Sequence, residues 1–424
     1  MSVGYSTLIF RFVIGLGCLL LFLGFSGTVG RIVDQERLSR RLVAVIAASR
    51  ICFFALIFLV LKMKPHGDVI GYYYPQAILV MQGMVPHRDF LSSYGFLHPY
   101  LDAAVLYIHN SSLTLIFLSI VLEMAALGVW YRLVGDLIQS QASLRPRLNQ
   151  ALLFYLCNSI SIFTVALDGT NNAILALGLG LSIAFLWRYN EFASGMSFSM
   201  SLLLAKFLPI IFFPLFLVTA RRRWKWLAGS ALPLILLGGL AAILHLNVLQ
   251  PFQLEGGIGI ESNLPYLLSA IAGIHIRPQI FQVFGGSVLL LAAAWYGWKL
   301  HLYRSVMGLS IASLGLLSLL LLLAPKAWPV YYEMLLFPFC WMVAGLRLSG
   351  KVWALVFLAF AGVQASFWFT VLHMEPPWAL HQQLTTLQPE ALLYLLLLSL
   401  LVCGYALLAF LCAHVMARKS DPLL

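Results

Sequence analysis

Long apolar blocks alternate with short polar ones along this chain of 424 residues. Crossing a bilayer as a helix takes about 20 mostly apolar residues. Blocks of that kind run at about 6–28, 42–63, 112–134 and 150–167, and again between Asn172 and Arg188. Others follow Lys225 and lie near 280–299, 306–324, 330–346, 351–372 and 391–415. The stretch from Arg188 to Arg221 behaves differently. Both ends are basic, it is too short for two full spans, and Lys206 and Pro209 sit near its middle. Two half-spans meeting at Lys206 resolve this, because interrupted helices are tolerated within a membrane where they line a protein cavity. The pattern predicts an all-α polytopic membrane protein with about 11 full spans plus one broken pair. A single transmembrane domain over 1–424 is expected, with no internal repeat and no separate soluble domain.

Composition sharpens the picture. Hydrophobic residues are 62% and charged residues 10%, against about 45–50% and about 25% in a soluble domain. A soluble enzyme, a secreted disulfide scaffold, a fibre and a disordered chain are excluded. The first block is long, carries Arg11 and lacks an A-x-A cleavage site, so it reads as a retained helix, not a signal peptide. All six cysteines lie in apolar runs without a C-x-x-C pair. They read as buried hydrophobes.

The net charge of +11 is carried largely by short clusters between apolar blocks, at 31–41, 145–147, 221–225 and 418–419. That is the positive-inside arrangement of cytoplasmic loops, and it argues against nucleic acid as a partner. It places the N-terminus outside, the C-terminus in the cytoplasm, and two long loops outside, at 64–110 and 246–279. The first of these is expected to carry amphipathic helices. The outer loops hold most of the acids, histidines and prolines, and long loops in a compact protein tend to carry function.

The richest stretch follows the second span. It begins His66-Gly67-Asp68 and continues through Tyr72-Tyr73-Tyr74-Pro75-Gln76-Ala77 to Pro86-His87-Arg88-Asp89-Phe90, Tyr94-Gly95-Phe96 and His98-Pro99-Tyr100-Leu101-Asp102. A carboxylate at a helix exit is ionised at neutral pH and can take a proton from an attacking hydroxyl. Asp68 is therefore a candidate general base; the alternative is that it caps a helix over 69–82. His66 could orient it. Arg88 and Asp89 either fix the loop as a pair or contact a sugar. Asp102 reads as structural. Asp168, with Gly169 and two asparagines, is either a tight turn or a binding element, and Asn171 shares that choice. Lys206, a cation between half-spans, needs a partner, and a phosphate would suit it. Arg277 and Lys326 are further cations at expected helix starts, and Arg277 is the preferred partner of Lys206 because guanidinium binds phosphate in bidentate fashion. Most aromatics at expected interfaces read as a belt, with Tyr331 or Tyr332 the best placed for sugar stacking. The histidines are scattered without metal-ligand spacing, so no metal is expected.

Three elements together resemble one family. An Asp beyond an early span, a Tyr-rich helix, Pro86-x-Arg88-Asp89-Phe90 and Tyr94-Gly95 ahead of Pro99-Tyr100 look like the first outer loop of GT-C glycosyltransferases. Asp168-Gly-Thr-Asn-Asn, then Ser194-Gly195 and Lys206-x-x-Pro209, resemble the family 87, mannosyltransferase-like members. Pro325-Lys326-Ala-Trp-Pro329-Val-Tyr331-Tyr332 is similar to a third recurring element. The resemblance covers roughly residues 60–345. It implies a polyprenyl-phosphate monosaccharide as donor, a lipid or glycan acceptor, inverting transfer on the non-cytoplasmic face, and no nucleotide or other cofactor. It implies Asp68 as base, Lys206, Arg277 and Lys326 at the donor phosphate, and Arg88, Asp89, Asp168, Asn171, Tyr331, Tyr332 and His66 around sugar or acceptor. The short cytoplasmic loops favour a bacterial inner membrane. The rival readings are a lipid-linked sugar flippase, which often shows paired halves, and a polymerase or ligase using diphosphate-linked donors.

Overall fold

The computed structural model describes residues 3–29, 32, 34–256, 263–274, 277–302, 305–324, 328–346, 348–354, 356–357 and 376–418. They are overwhelmingly helical, and among them no strand forms beyond an isolated bridge between Pro86 and Phe90. Among the described residues seven helices are long and apolar enough to cross a membrane: Phe10–Val29, Gln35–Val60, Ser112–Gln139, Arg223–Leu244, Gln279–Leu302, Val306–Leu323 and Pro389–Ala417. Two shorter apolar helices join them, Asn172–Trp187 and Leu208–Thr219. The protein is an all-α, polytopic, integral membrane protein.

Fewer elements span in one piece than the hydropathy pattern suggests. The block at 150–167 is divided into α6 (Arg145–Leu156) and α7 (Ser159–Thr164). Asn158 forces the division by turning extended and accepting the amide of Ile160 with its side chain, as an N-cap does. The block at 330–346 begins as a tight 3₁₀ turn, Pro329–Leu335, before α16 (Leu336–Gly345). Most of the block at 351–372 lies outside the described residues. The expected break at Lys206 is present: α9 (Glu191–Leu204) stops, and after a 3₁₀ turn at Leu208–Phe212 the chain resumes as α10 (Phe213–Thr219).

The core is built around α15 (Val306–Leu323), apolar on every side and buried along most of its length; an all-round hydrophobic helix belongs in the middle of a bundle. It packs on α18 (Pro389–Ala417), which follows the short helix α17 (Pro377–Thr385), and on α14 (Pro278–Leu302), which follows the short helices α12 (Gln250–Gly256) and α13 (Leu264–Ala272), while α16 lies on α6 and α6 on α2 (Gln35–Phe54). Next to these, α9 packs against both α8 (Asn172–Trp187) and α11 (Arg223–Leu244). Gly195 and Gly229 let α9 and α11 cross in contact, since a Cβ on either would overlap a carbonyl of the other helix.

The long helix α5 (Ser112–Ser140) separates two polar ends. At its C-terminal end, Glu36 pairs with Arg40 (3.0 Å) and Arg145 (3.6 Å), and Asp136 with Arg188 (3.6 Å). At its N-terminal end, Tyr74 donates to Asn110 across 3.0 Å, beside the loop holding Asp68. At a rise of about 1.5 Å per residue the two ends stand roughly 40 Å apart. The start of α2, after α1 (Val3–Val29), and the basic segments after α5 and α8 therefore gather at one end, and the first long loop at the other.

Candidate active site around Asp68, Tyr94 and Lys206

Asp68 opens a π-helical turn, Val69–Tyr73, that runs into α3 (Tyr74–Met81). A π turn at a helix start is uncommon and recurs at functional sites. Its wider winding places Tyr73, five residues on, with its hydroxyl 3.3 Å from Asp68 Oδ2. Tyr94 donates its hydroxyl to the same oxygen across 3.2 Å. Asp68 makes no capping bond to the helix backbone, so its carboxylate is held by two phenols. Burial, reinforced by neighbouring negative charge, pushes both tyrosine hydroxyls well above their ordinary range. They remain protonated donors at any physiological pH.

Tyr94 also faces Lys206. The ammonium lies 5.1 Å from the centre of the Tyr94 ring and 5.2 Å from that of Tyr331. Each ring face attracts a cation, by about 0.5–2 kcal/mol depending on desolvation. Among the described residues no carboxylate lies within ion-pair distance of Lys206. The Tyr94 ring thus binds the acid through its hydroxyl and the base through its face, and keeps the two from collapsing into an ion pair. A carboxyl group held by two phenols and a lysine without an ion-pair partner among the described residues then share one half-buried site.

The break in α9 makes this possible. A helix end leaves carbonyls without intrahelical partners. Here Gly95 N–H donates to Ala205 O (2.7 Å) and Leu97 N–H to Leu203 O (3.0 Å). A Cβ at position 95 would overlap the Leu203 carbonyl, so only glycine lets the loop come this close. The second long loop covers the first: Ser92 N–H donates to Gln250 Oε1 (2.9 Å), Asn247 N–H to His87 O (3.0 Å), and Phe252 packs on Phe207 (4.9 Å).

Behind Asp68 stands α4 (His98–Leu106). His98 stacks on Tyr94 and meets Tyr73 edge-on, with Nδ1 3.3 Å from Asp102 Oδ2. Burial, then the charge of Lys206, pushes His98 down to about 3; burial pushes Asp102 well above the usual carboxylate range. Burial thus favours the uncharged form of both, and the pair backs the site as a buried polar contact.

Asp168 is neither a free turn residue nor an open ligand. It is buried and accepts both contacts of Arg11 Nη2, at 3.1 and 3.3 Å, and lies 3.2 Å from His66 Nε2. His66, expected to orient Asp68, thus reaches Asp168. Asn171 ties this loop to the site through its backbone, donating to Tyr73 Oη across 3.2 Å. Its side chain is buried and finds no hydrogen-bond partner among the described residues.

Several expected site residues lie elsewhere. Arg88 and Asp89 form an exposed two-pronged pair, both contacts at 2.8 Å. Asp89 also accepts the Val85 amide, and the Arg88 bonds, then that amide, hold its carboxyl at about 2. They fix a turn and show no contact with Asp68. Tyr332 points into the core, donating to Ser318 Oγ (3.2 Å) beside Tyr405; Tyr331, turned about a third of a revolution away along the 3₁₀ turn, faces Lys206. Arg277 stands exposed before α14 with no contact to Lys206 among the described residues. Lys326 lies outside the described residues. Ser194-Gly195 serves the crossing of α9 and α11, where Trp226 Nε1 donates to Ser194 Oγ. Among the described residues no cluster of metal-binding side chains occurs.

The sequence pattern alone does not assign the partners of Arg11, or the charges Arg50, Glu123 and Glu333. The signal was present. Each is a lone charge within an apolar block, and such a residue in a membrane requires a partner. Comparison with family models, with curated proteins and with solved structures gave no match.

Proposed function

We propose that the protein is an integral-membrane glycosyltransferase of the GT-C type, moving a mannose-like hexose from a polyprenyl-phosphate donor to a lipid or glycan acceptor. The observation that carries this reading is the pairing of an uncapped, phenol-held Asp68 with an unneutralised Lys206 on the two sides of Tyr94. Asp68 takes the proton of the acceptor hydroxyl as its oxygen attacks the anomeric carbon. The sugar–phosphate bond breaks, and the electron pair leaves on the lipid phosphate, whose charge Lys206 stabilises. Tyr331 lies against that cation, and in this reading its ring takes the sugar. In this reading the site faces the non-cytoplasmic side of a bacterial inner membrane, with the N-terminus outside and the C-terminus in the cytoplasm. Neither a metal nor a nucleotide enters the mechanism.

The test is sugar transfer from a panel of radiolabelled polyprenyl-phosphate monosaccharides in membranes. Asp68→Asn should lower the rate at least about a hundredfold, as loss of a general base does. Lys206→Met should raise the donor KM and lower kcat. Transfer that survives Asp68→Asn removes Asp68 as base, and consumption of no donor by the wild type removes the reading. In that case a lipid-linked sugar flippase moves ahead, a reading favoured by the buried charges of Arg50, Glu123 and Glu333.

A further inference from the structure

A second group of charges lies deep in the bundle and takes no part in the site above. Arg50 on α2 and Glu123 on α5 are fully buried, with Nε and Oε2 3.9 Å apart. Arg50 is well supplied with acceptors. Its Nε donates to Ser161 Oγ (2.9 Å), Nη1 to Ser49 Oγ and Leu156 O, and Nη2 to Tyr155 O. Glu123 accepts the hydroxyls of Tyr155 (2.9 Å) and Ser161. Arginine and glutamate cancel in charge; both hydroxyls reach Glu123 Oε1, while Oε2 faces Arg50 without a hydrogen bond among the described residues.

Glu333, on the 3₁₀ turn Pro329–Leu335, breaks the balance. It is 1% exposed, and neither carboxylate oxygen accepts a hydrogen bond among the described residues. It lies within electrostatic reach of Glu123 and Arg50, of Tyr155 on α6, and of Cys340 on α16. The other elements packed on this turn, α7, α8 and α15, present no acid or base to it. An ionised carboxylate buried without a donor is far more costly than a neutral one, and such a group takes up a proton instead. A second carboxylate nearby strengthens the preference, because two like charges sharing a site cannot both ionise easily.

We propose that Glu333 and Glu123 form a proton-binding site within the membrane, in which one exchangeable proton rests on Glu333 beside the Arg50–Glu123 pair. The ligand is the proton itself, and the site is neutral when loaded. Glu333 shares its turn with Tyr331, so the proton site stands two residues from the ring that faces Lys206.

Infrared difference spectroscopy of the full-length protein in lipid, wild type against Glu333→Gln, reads the proton directly. The expected result at neutral pH is a protonated-carboxyl C=O band in the wild type that the variant lacks and that fades as pH rises. A difference containing only carboxylate bands overturns the proposal, as does a carboxylate signal that responds to sodium, which would make the ligand a metal cation. A C=O band that survives in Glu333→Gln and disappears in Glu123→Gln overturns the placement of the proton. Both Glu333→Gln and the apolar Glu333→Met should fold, since each replaces a neutral group. If neither folds, Glu333 is a required charge and the proposal fails.

Discussion

Gly95 donates its amide to the carbonyl of Ala205 across 2.7 Å, and this bond attaches the first long loop to the break in α9. It answers two needs together. The broken helix must satisfy its last carbonyls, and Tyr94 must be held between Asp68 and Lys206. Gly95→Ala should therefore fail on both counts. Its Cβ would overlap the Leu203 carbonyl, which is backbone and cannot swing aside. The expected cost is about 1–3 kcal/mol of stability, the range for overpacking, with loss of Asp68-dependent activity in protein that still folds. The same change at Gly71, which has open space around its Cβ position, should be far milder. Equal thermal stability of the two variants in detergent would refute the close approach.

Much of this site could be read from the chain, and the remainder could not, for a physical reason. Asp68, Lys206 and the interruption near Pro209 announce themselves because charge and proline are conspicuous within apolar sequence. The roles of Tyr73 and Tyr94 do not, since a tyrosine in a membrane loop is ordinarily an interfacial anchor. Only the π turn and the Gly95–Ala205 bond bring both to one carboxylate. Arg88-Asp89 is ambiguous for the opposite reason. Adjacent opposite charges look like a ligand site, but here they satisfy each other. The division of the block at 150–167 is hidden as well, because hydropathy records the apolar run but not the side-chain cap at Asn158 that interrupts it.

Arg11 and Asp168 give a prediction independent of any activity. The guanidinium is fully buried and the carboxylate nearly so. Removing one partner strands the other's charge, which costs about 3–5 kcal/mol for a buried pair. Arg11→Met and Asp168→Asn should each lower the melting temperature sharply, while the double variant regains much of the loss. His66, left beside a neutral amide once Asp168 is replaced, should limit the recovery. If each single change costs less than about 1 kcal/mol, as a solvated pair would, α1 is not fastened to the site through this contact.

Asp102 makes the protein's stability depend on pH in a direction opposite to most carboxylates. Burial raises its folded value well above the ordinary 3.8. A group so shifted binds its proton more tightly in the folded state. Its contribution is fully present below the unfolded value and is lost as pH rises toward the folded one. Asp102→Asn removes the titration and keeps the shape. As pH rises above about 5 the variant should therefore gain on the wild type, by at most about 1.4 kcal/mol per pH unit. The depressed His98 adds an opposing slope: its neutral folded form loses ground to the unfolded chain as pH falls below about 6.5. Asn keeps an uncharged neighbour 3.3 Å from His98, so that slope is largely shared by the two proteins, and it acts only below about pH 6.5. Thermal melts of wild type and Asp102→Asn in the same detergent, at several pH values, isolate the Asp102 contribution. A difference that stays flat with pH would show Asp102 to be ionised in the fold, and the wall behind Asp68 to carry charge.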